Sequence, residues 1–302
     1  MNVCNIFSFA ISRVLSYILY ILSSISWSCE KENATNIAFL KNYNFKLQNK
    51  KEITYTETNK LRCCTWNIHH GYDSSRRYVF PQMIEYFKQM NFDIIMLQEV
   101  NNSKYNIDDN NITVSEYMGN ILNMEVSAID ELTILSKFPI DNTIYTNYYT
   151  NSNNSFGNHM LTCKIKYTDN EEIMCVNIHL NNDFIGYEQQ EAVKKLELDK
   201  LILSHKRNNK KILVCGDFNA PRSYSVNSDL SHLFSQKDNN FAITYPTYYP
   251  IVCLDKVWLN ETNTNQSITN VYTDNSIYYS DHIPLLFEIK LNHNISVPAL
   301  TS

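Results

Sequence analysis

A chain of 302 residues, 44% hydrophobic and 19% charged, can bury one sizeable core, or two small ones after a short leader, which excludes collagen-like, coiled-coil and wholly disordered readings. Its formal charge of −5 leaves no general excess of Lys and Arg for clamping nucleic acid, so any phosphate must be handled locally. With 5 Gly, 7 Pro and no internal period, linker-rich and repeat-built architectures are excluded as well.

From Phe7 to Trp27 the only charge is Arg13. The most apolar part, Val14 to Ile25, is short for a bilayer span of about 20 residues but suits a signal-peptide core. Ser24, Ser26 and Ser28 offer cleavage positions ahead of Glu30, whereas adding Phe7 to Ile11 lengthens the stretch into an uncleaved anchor. Residues 1–29 are expected to be a signal peptide or membrane anchor, giving a membrane-associated or secreted protein; a buried amphipathic helix in a cytoplasmic chain is the alternative. Residues 30–60 are polar and read as a linker.

The packed domain is expected over 61–291. It opens with a strand, Leu61 to Ile68, followed by a helix starting near Pro81 with Met83, Ile84, Phe87 and Met90 at helical spacing. The continuous apolar run Phe92 to Leu97 reads as a strand buried on both faces. Further strands are expected at Leu132 to Ser136, Met160 to Tyr167 and Ile173 to Leu180, the last two joined by a turn at Thr168 to Glu171. A helix from Tyr187 to His205 and strands at Ile212 to Cys215, Leu254 to Leu259 and Leu285 to Leu291 complete the set. This order predicts an α/β protein with mixed sheets covered by helices, followed by a frayed tail over 292–302. The eight Cys have no zinc-type spacing and read as core filling, with a Cys163–Cys175 disulfide as the alternative in an oxidising compartment.

The chemistry lies where apolar strands stop. The runs end in Trp66-Asn67-Ile68-His69-His70, Leu97-Gln98-Glu99, Asn177-Ile178-His179, Gly216-Asp217-Phe218-Asn219, Leu254-Asp255 and Ser280-Asp281-His282. Carboxylates and amides at the mouth of a core are costly unless they bind something or one another. Any one has a bland reading: a solvated cap for Glu99, a turn for Gly216 to Asn219, a pairing with Lys256 for Asp255. Six such ends in one domain point instead to a single site. Glu99, Asp281 and Asn67 are oxygen donors suited to a hard cation, and His179 and His282 can donate to a phosphate or carry a proton. A metal, a water-orienting carboxylate and two imidazoles make a phosphoester hydrolase.

These segments, together with Leu135-Ser136-Lys137-Phe138-Pro139 and Thr244-Tyr245-Pro246, resemble in order the endonuclease/exonuclease/phosphatase superfamily over Leu61 to Leu291. The resemblance implies a four-layer α/β/β/α sandwich of two packed mixed sheets flanked by helices. It implies that Glu99 is the principal ligand of magnesium or manganese, aided by Asn67 and Asp281. Asp217 would orient or activate the attacking water, Asn219 would bind the developing charge, and Asp255 would hold His282 toward the scissile phosphate. His179 would take the other phosphate-facing position, the formal base being left open between these groups. Where many relatives carry Arg, this chain offers His159 and Lys137, expected to bind substrate, with His159 the weaker and more pH-sensitive clamp.

The expected substrate is a phosphate ester, with nucleic acid slightly favoured over a phospholipid or inositol-phosphate headgroup. Membrane association would run through residues 7–27. The basic run Lys206 to Lys211 reads as a solvated helix end. A non-catalytic binding protein is disfavoured because Glu99, His179, Asp217, Asp255, Asp281 and His282 are all retained, and a surface or virion structural protein that merely retains the site is the third alternative.

Overall fold

The computed structural model describes residues 55–107, 110–148, 158–168, 171–181, 211–221, 242–260 and 267–298. The expected leader and the expected helix over 187–205 lie outside the described residues. Among the described residues no helix is long and apolar enough to cross a membrane.

Among the described residues two mixed sheets carry the fold. The first has six strands in the order β12-β13-β1-β2-β6-β5: β1 is Tyr55–Asn67, β2 Ile94–Gln98, β5 Glu125–Ile129, β6 Leu132–Ser136, β12 Ile268–Thr273 and β13 Leu285–Pro298. The second has five in the order β11-β10-β9-β8-β7: β7 is Ile140–Tyr148, β8 Asn158–Lys166, β9 Glu172–His179, β10 Lys211–Asp217 and β11 Asp255–Leu259. A short ribbon pairs β3, Tyr105–Ile107, with β4, Asn110–Ile112. Only β1 with β2 and β9 with β10 run parallel; every other named pair is antiparallel.

Period-two alternation on β1 and β2 divides the core. Leu61 and Cys63 of β1 and Ile94 and Met96 of β2 face the second sheet, meeting Leu161, Cys175 and Leu213. Cys64, Trp66, Ile95 and Leu97 face the opposite way, onto the helices. Helix α1, Phe80–Met90, buries Phe80, Met83, Ile84 and Phe87 on one stripe, has Pro81 in its first turn and ends at Asn91 in the left-handed conformation. Helix α2, Val114–Leu122, has no counterpart in the sequence reading. It is nine residues long and opens with a capping box, Thr113 and Glu116 each accepting from the other's backbone N–H.

The structure extends the domain at both ends. Strand β1 begins at Tyr55, inside the expected linker, and β13 continues to Pro298, through the tail expected to fray. The two extensions pair with each other, Tyr55 opposite Pro298 and Thr58 opposite Ile295. A ladder needs only backbone partners, so polar sequence did not forbid it. The disulfide alternative is also corrected: Cys163 and Cys175 stand opposite each other in register, yet all six described cysteines are free and buried. Burial pushes the Cys163 thiol up to about 12, as befits a core-filling group.

Candidate active site

Strand direction gathers the polar ends. Asn67 closes β1 opposite Gln98, the last residue of β2, and Glu99 follows it. His179 and Asp217 close β9 and β10 opposite each other, and Asp255 opens antiparallel β11 opposite Asp217. Asp281 and His282 precede β13, whose Leu285 lies opposite Thr65. All therefore reach the same end of the sandwich. Gly216 permits it on the second sheet: its φ is +140°, and a Cβ there would sit 2.0 Å from the Ile178 carbonyl oxygen.

Asn67 ties the two sheets together. Its amide nitrogen donates to Glu99 Oε1 at 2.9 Å and to Asp217 Oδ2 at 3.1 Å, and its Oδ1 accepts from the His69 backbone N–H at 3.1 Å. The Ser280 hydroxyl, 2.7 Å from the Asn67 carbonyl and 3.2 Å from Asp281 Oδ1, draws Asp281 to the same place. Beneath this cluster Gln98 donates to Asn177 Oδ1 across the sheets at 2.6 Å and to Thr65 Oγ1 at 3.1 Å. This buried polar layer separates the site from the apolar core below it. On the other flank His282 Nδ1 meets Asp255 Oδ2 at 2.8 Å, while its Nε2 stands 3.6 Å from Asp217 Oδ2. Trp66, wedged edge-on against Tyr86 and Phe87, donates from its indole to the His282 carbonyl at 2.9 Å, so the core helix fixes the backbone at His282.

The profile of the endonuclease/exonuclease/phosphatase family matches residues 64–282. The chain belongs to that family. YbhP of Escherichia coli (strain K12), an uncharacterized protein, is 24% identical over 263 residues, 78% of this chain and 98% of its own length. Among solved structures, an endonuclease/exonuclease/phosphatase from Beutenbergia cavernae superposes with a TM-score of 0.59 at 13% identity, covering 78% of this chain and 72% of that one. The human Nocturnin catalytic domain with bound sulfate anion gives 0.57 at 14% identity, covering 79% and 97%. Both share the two-sheet sandwich. Members of the family are phosphoester hydrolases as a rule, and they typically use divalent metals.

The residues fit such a group. Among the described residues Asp217, Asp255 and His282 form a ligating cluster, with one ligand atom from each lying within 4.8 Å of the others. His282 spends Nδ1 on Asp255, however, so that trio is better described as a carboxylate-flanked proton holder. Glu99 and Asp281 remain as hard oxygen donors for a cation. Asn67, expected as a ligand through its oxygen, donates from its nitrogen between two carboxylates, a shared donor that relieves their repulsion.

Electrostatics follow the geometry in this family site. Burial disfavours the His282 imidazolium, but Asp255, then Asp217 and Asp281, raise its pKa well above the ordinary value. Asp255 is itself pushed up, first by burial and then by Asp217, against the pull of His282. The pair titrates as a unit that keeps its proton on the imidazole. Against burial, Asp281 is held below the usual carboxylate range by His69, 3.8 Å away, and by His282 and Ser280. His179 is lifted to about 10: burial opposes this, while Glu131, bonded to Nδ1 at 2.6 Å, leads Asp217 and Glu99 in reversing it.

Glu131 is the residue the sequence reading missed. It sits in the turn between β5 and β6, and His179 draws its carboxyl down to about 2 despite burial. His159 stands opposite His179, with Nδ1 2.5 Å from the Tyr145 hydroxyl and Nε2 3.6 Å from Glu131; burial holds its pKa below normal. It thus lies at the edge of the site, behind Glu131. Asn219, at φ +45°, donates from its side chain to the Leu180 carbonyl at 2.8 Å and from its backbone to Asp217 Oδ1 at 2.8 Å. Lys137 is a correction. It lies at the other end of β2, where its Nζ bonds buried Asp93 at 2.9 Å and the Asn91 carbonyl at 3.0 Å. The antiparallel β2–β6 register puts it there, away from any phosphate at Glu99.

Proposed function

We propose that the protein is a magnesium-dependent phosphodiesterase acting on nucleic acid. The observation that carries this reading is the Asn67 bridge, which brings carboxylates of both sheets, Glu99 and Asp217, against an imidazole held by Asp255. Glu99 and Asp281 would hold the cation, which supplies charge neutralisation at the phosphate.

Asp217, whose Oδ1 is fixed by the Asn219 N–H, accepts a hydrogen bond from the attacking water and turns its lone pair toward phosphorus. His282 presents a protonated Nε2 to a non-bridging oxygen, and Asp255 keeps it protonated and aimed. His179, protonated and braced by Glu131, donates from the opposite side. As the water attacks phosphorus its proton passes to Asp217, and as the ester bond breaks one of these imidazolium groups gives its proton to the leaving oxygen.

The test is turnover of bis(p-nitrophenyl) phosphate by the full chain, with EDTA and after magnesium is restored. Plasmid DNA, RNA, sphingomyelin and an inositol phosphate are run in parallel. Hydrolysis that stops with EDTA, returns with magnesium and extends to DNA or RNA is expected. Turnover indifferent to EDTA, or none on any substrate, overturns the reading; turnover of sphingomyelin alone moves the substrate to a lipid headgroup.

A further inference from the structure

The side of the site next to Asp281 is rimmed by tyrosine. Thr247 clasps the segment leading into Asp281, its N–H donating to the Asp281 carbonyl at 2.9 Å and its hydroxyl to the Ser280 carbonyl at 2.6 Å. The next residue, Tyr248, lays its ring on that of Tyr278, with centroids 5.6 Å apart and planes inclined by 16°. Both remain open to water, Tyr248 at 46% and Tyr278 at 45%, and the adjoining Tyr249 at 81%. Aromatic surface gathered and exposed in this way marks a place where something docks.

A pocket of about 380 Å³ opens beside the stacked pair, lined by Tyr278, Tyr78, Arg77 and Gln82. That volume lies in the range of small-ligand sites, roughly 300–1,000 Å³. Arg77 keeps 71% of its side chain exposed while buried Asp73 grips Nε and Nη2, each at 2.7 Å. Asp73 also accepts from the Arg77 and Ser75 backbone N–H groups, both at 2.9 Å, so the loop presenting the guanidinium is tied down. Tyr278 precedes Asp281 by three residues, which limits their Cα separation to about 11 Å.

The geometry points to a base-stacking subsite: an unpaired nucleobase of a single-stranded nucleic acid lies on the Tyr248–Tyr278 pair beside Arg77, with its phosphate at the Asp281 and His282 end. This inference rests on the phosphodiesterase reading and names the form of its substrate. Parallel rings and a planar guanidinium match the face of a base, whereas an acyl chain would need an enclosed apolar slot rather than an open pocket edged by Arg77 and Gln82. A duplex hides its base faces internally and is held mainly through its backbone, for which a chain of charge −5 has little to offer.

Fluorescence anisotropy of the full chain in EDTA, where hydrolysis is blocked, tests this with three probes. They are a labelled oligothymidylate of about eight nucleotides, an abasic strand of equal length, and the same sequence as a duplex. The thymidylate should bind roughly tenfold tighter than either of the others. Tyr278→Ala and Tyr248→Ala should each erase the preference, and Tyr278→Phe should keep it. Equal affinity for thymidylate and abasic strands in the unaltered chain overturns the subsite without recourse to any variant. A preference that survives both Ala substitutions in proteins with unchanged melting also overturns it. Phosphodiester turnover without base preference would remove the subsite and leave the reaction standing; base preference in a chain that hydrolyses nothing would do the reverse.

Discussion

The two ends of strand β2 carry acidic residues in opposite circumstances. At one end Asp93 is buried, pairs with buried Lys137 and accepts from the Arg62 N–H at 2.7 Å, so its charge is answered from within the chain. At the other, about 20 Å along the strand, Glu99 stands with Asp217 and Asp281. Among the described residues no lysine or arginine pairs with these three, and their partners are amides, a hydroxyl and imidazoles. The backbone differs too. His69, His70, Glu99 and Asn219 all have φ between +44° and +54° at the site end, each costing about 1 kcal/mol or more, whereas Asn91 at the far end is the cap of a helix. A carboxylate with its own cation holds a fold together, while a group of them held by donors on a strained backbone is arranged for something that arrives.

The largest effect that contrast requires is at Glu99. If magnesium raises the melting temperature of the unaltered chain, as the proposed site requires, Glu99→Ala should abolish that rise and lower phosphodiester turnover by about 10³-fold or more. Retention of more than a tenth of the activity would break the distinction between the two ends. His282→Ala comes next, with kcat reduced by roughly 10²–10⁴-fold and circular dichroism unchanged. A loss seen only in KM would instead make His282 a binding group.

The elements legible in the sequence were those whose apolar pattern is dense. β2, β10 and the β8–β9 hairpin are buried nearly throughout, β1 is buried from Cys63 to Asn67, and α1 has a clear stripe. β5 and β12 bury residues sparsely, so alternation there was too weak to see, and α2 is defined by a cap rather than by length. The site was legible for the same reason inverted, since a polar residue ending an apolar run is conspicuous in one dimension. Glu131 was not, because Asp130-Glu131 in a hairpin turn looks solvated until β5 and β6 bring it against His179, 48 positions away. Lys137 was misplaced because position in a motif says nothing about strand sense. Antiparallel pairing of Leu132–Ser136 with Ile94–Gln98 would have put it beside Asp93.

That reassignment makes a prediction of intermediate size. Lys137→Ala leaves Asp93 buried without its cation and should cost about 3–5 kcal/mol of stability, a melting drop of roughly 10 °C, with kcat/KM of the folded protein within about twofold. Adding Asp93→Leu should recover much of the loss, because the orphaned charge is then gone. A raised KM with unchanged melting would return Lys137 to the substrate.

The smallest effect concerns the Glu131–His179 contact, which belongs to the site yet resembles the far end in being an internal ion pair. Glu131 falls from 4.5 to about 2 on folding, so its stabilisation is complete above the unfolded value and lost as pH falls toward 2. His179 rises from 6.5 to about 10, so its share is complete below 6.5 and lost as pH rises toward 10. Their contributions therefore coincide between about pH 4.5 and 6.5. Glu131→Gln should lower melting by roughly 2–6 °C near pH 5.5, since the pair is partly exposed, and the gap should close toward either extreme. The same substitution should move the alkaline fall in kcat to lower pH, because His179 then loses its proton sooner. A melting gap constant from pH 5 to 10 would mean that Glu131 acts by packing alone, and His179 would have to owe its charge to Asp217 and Glu99.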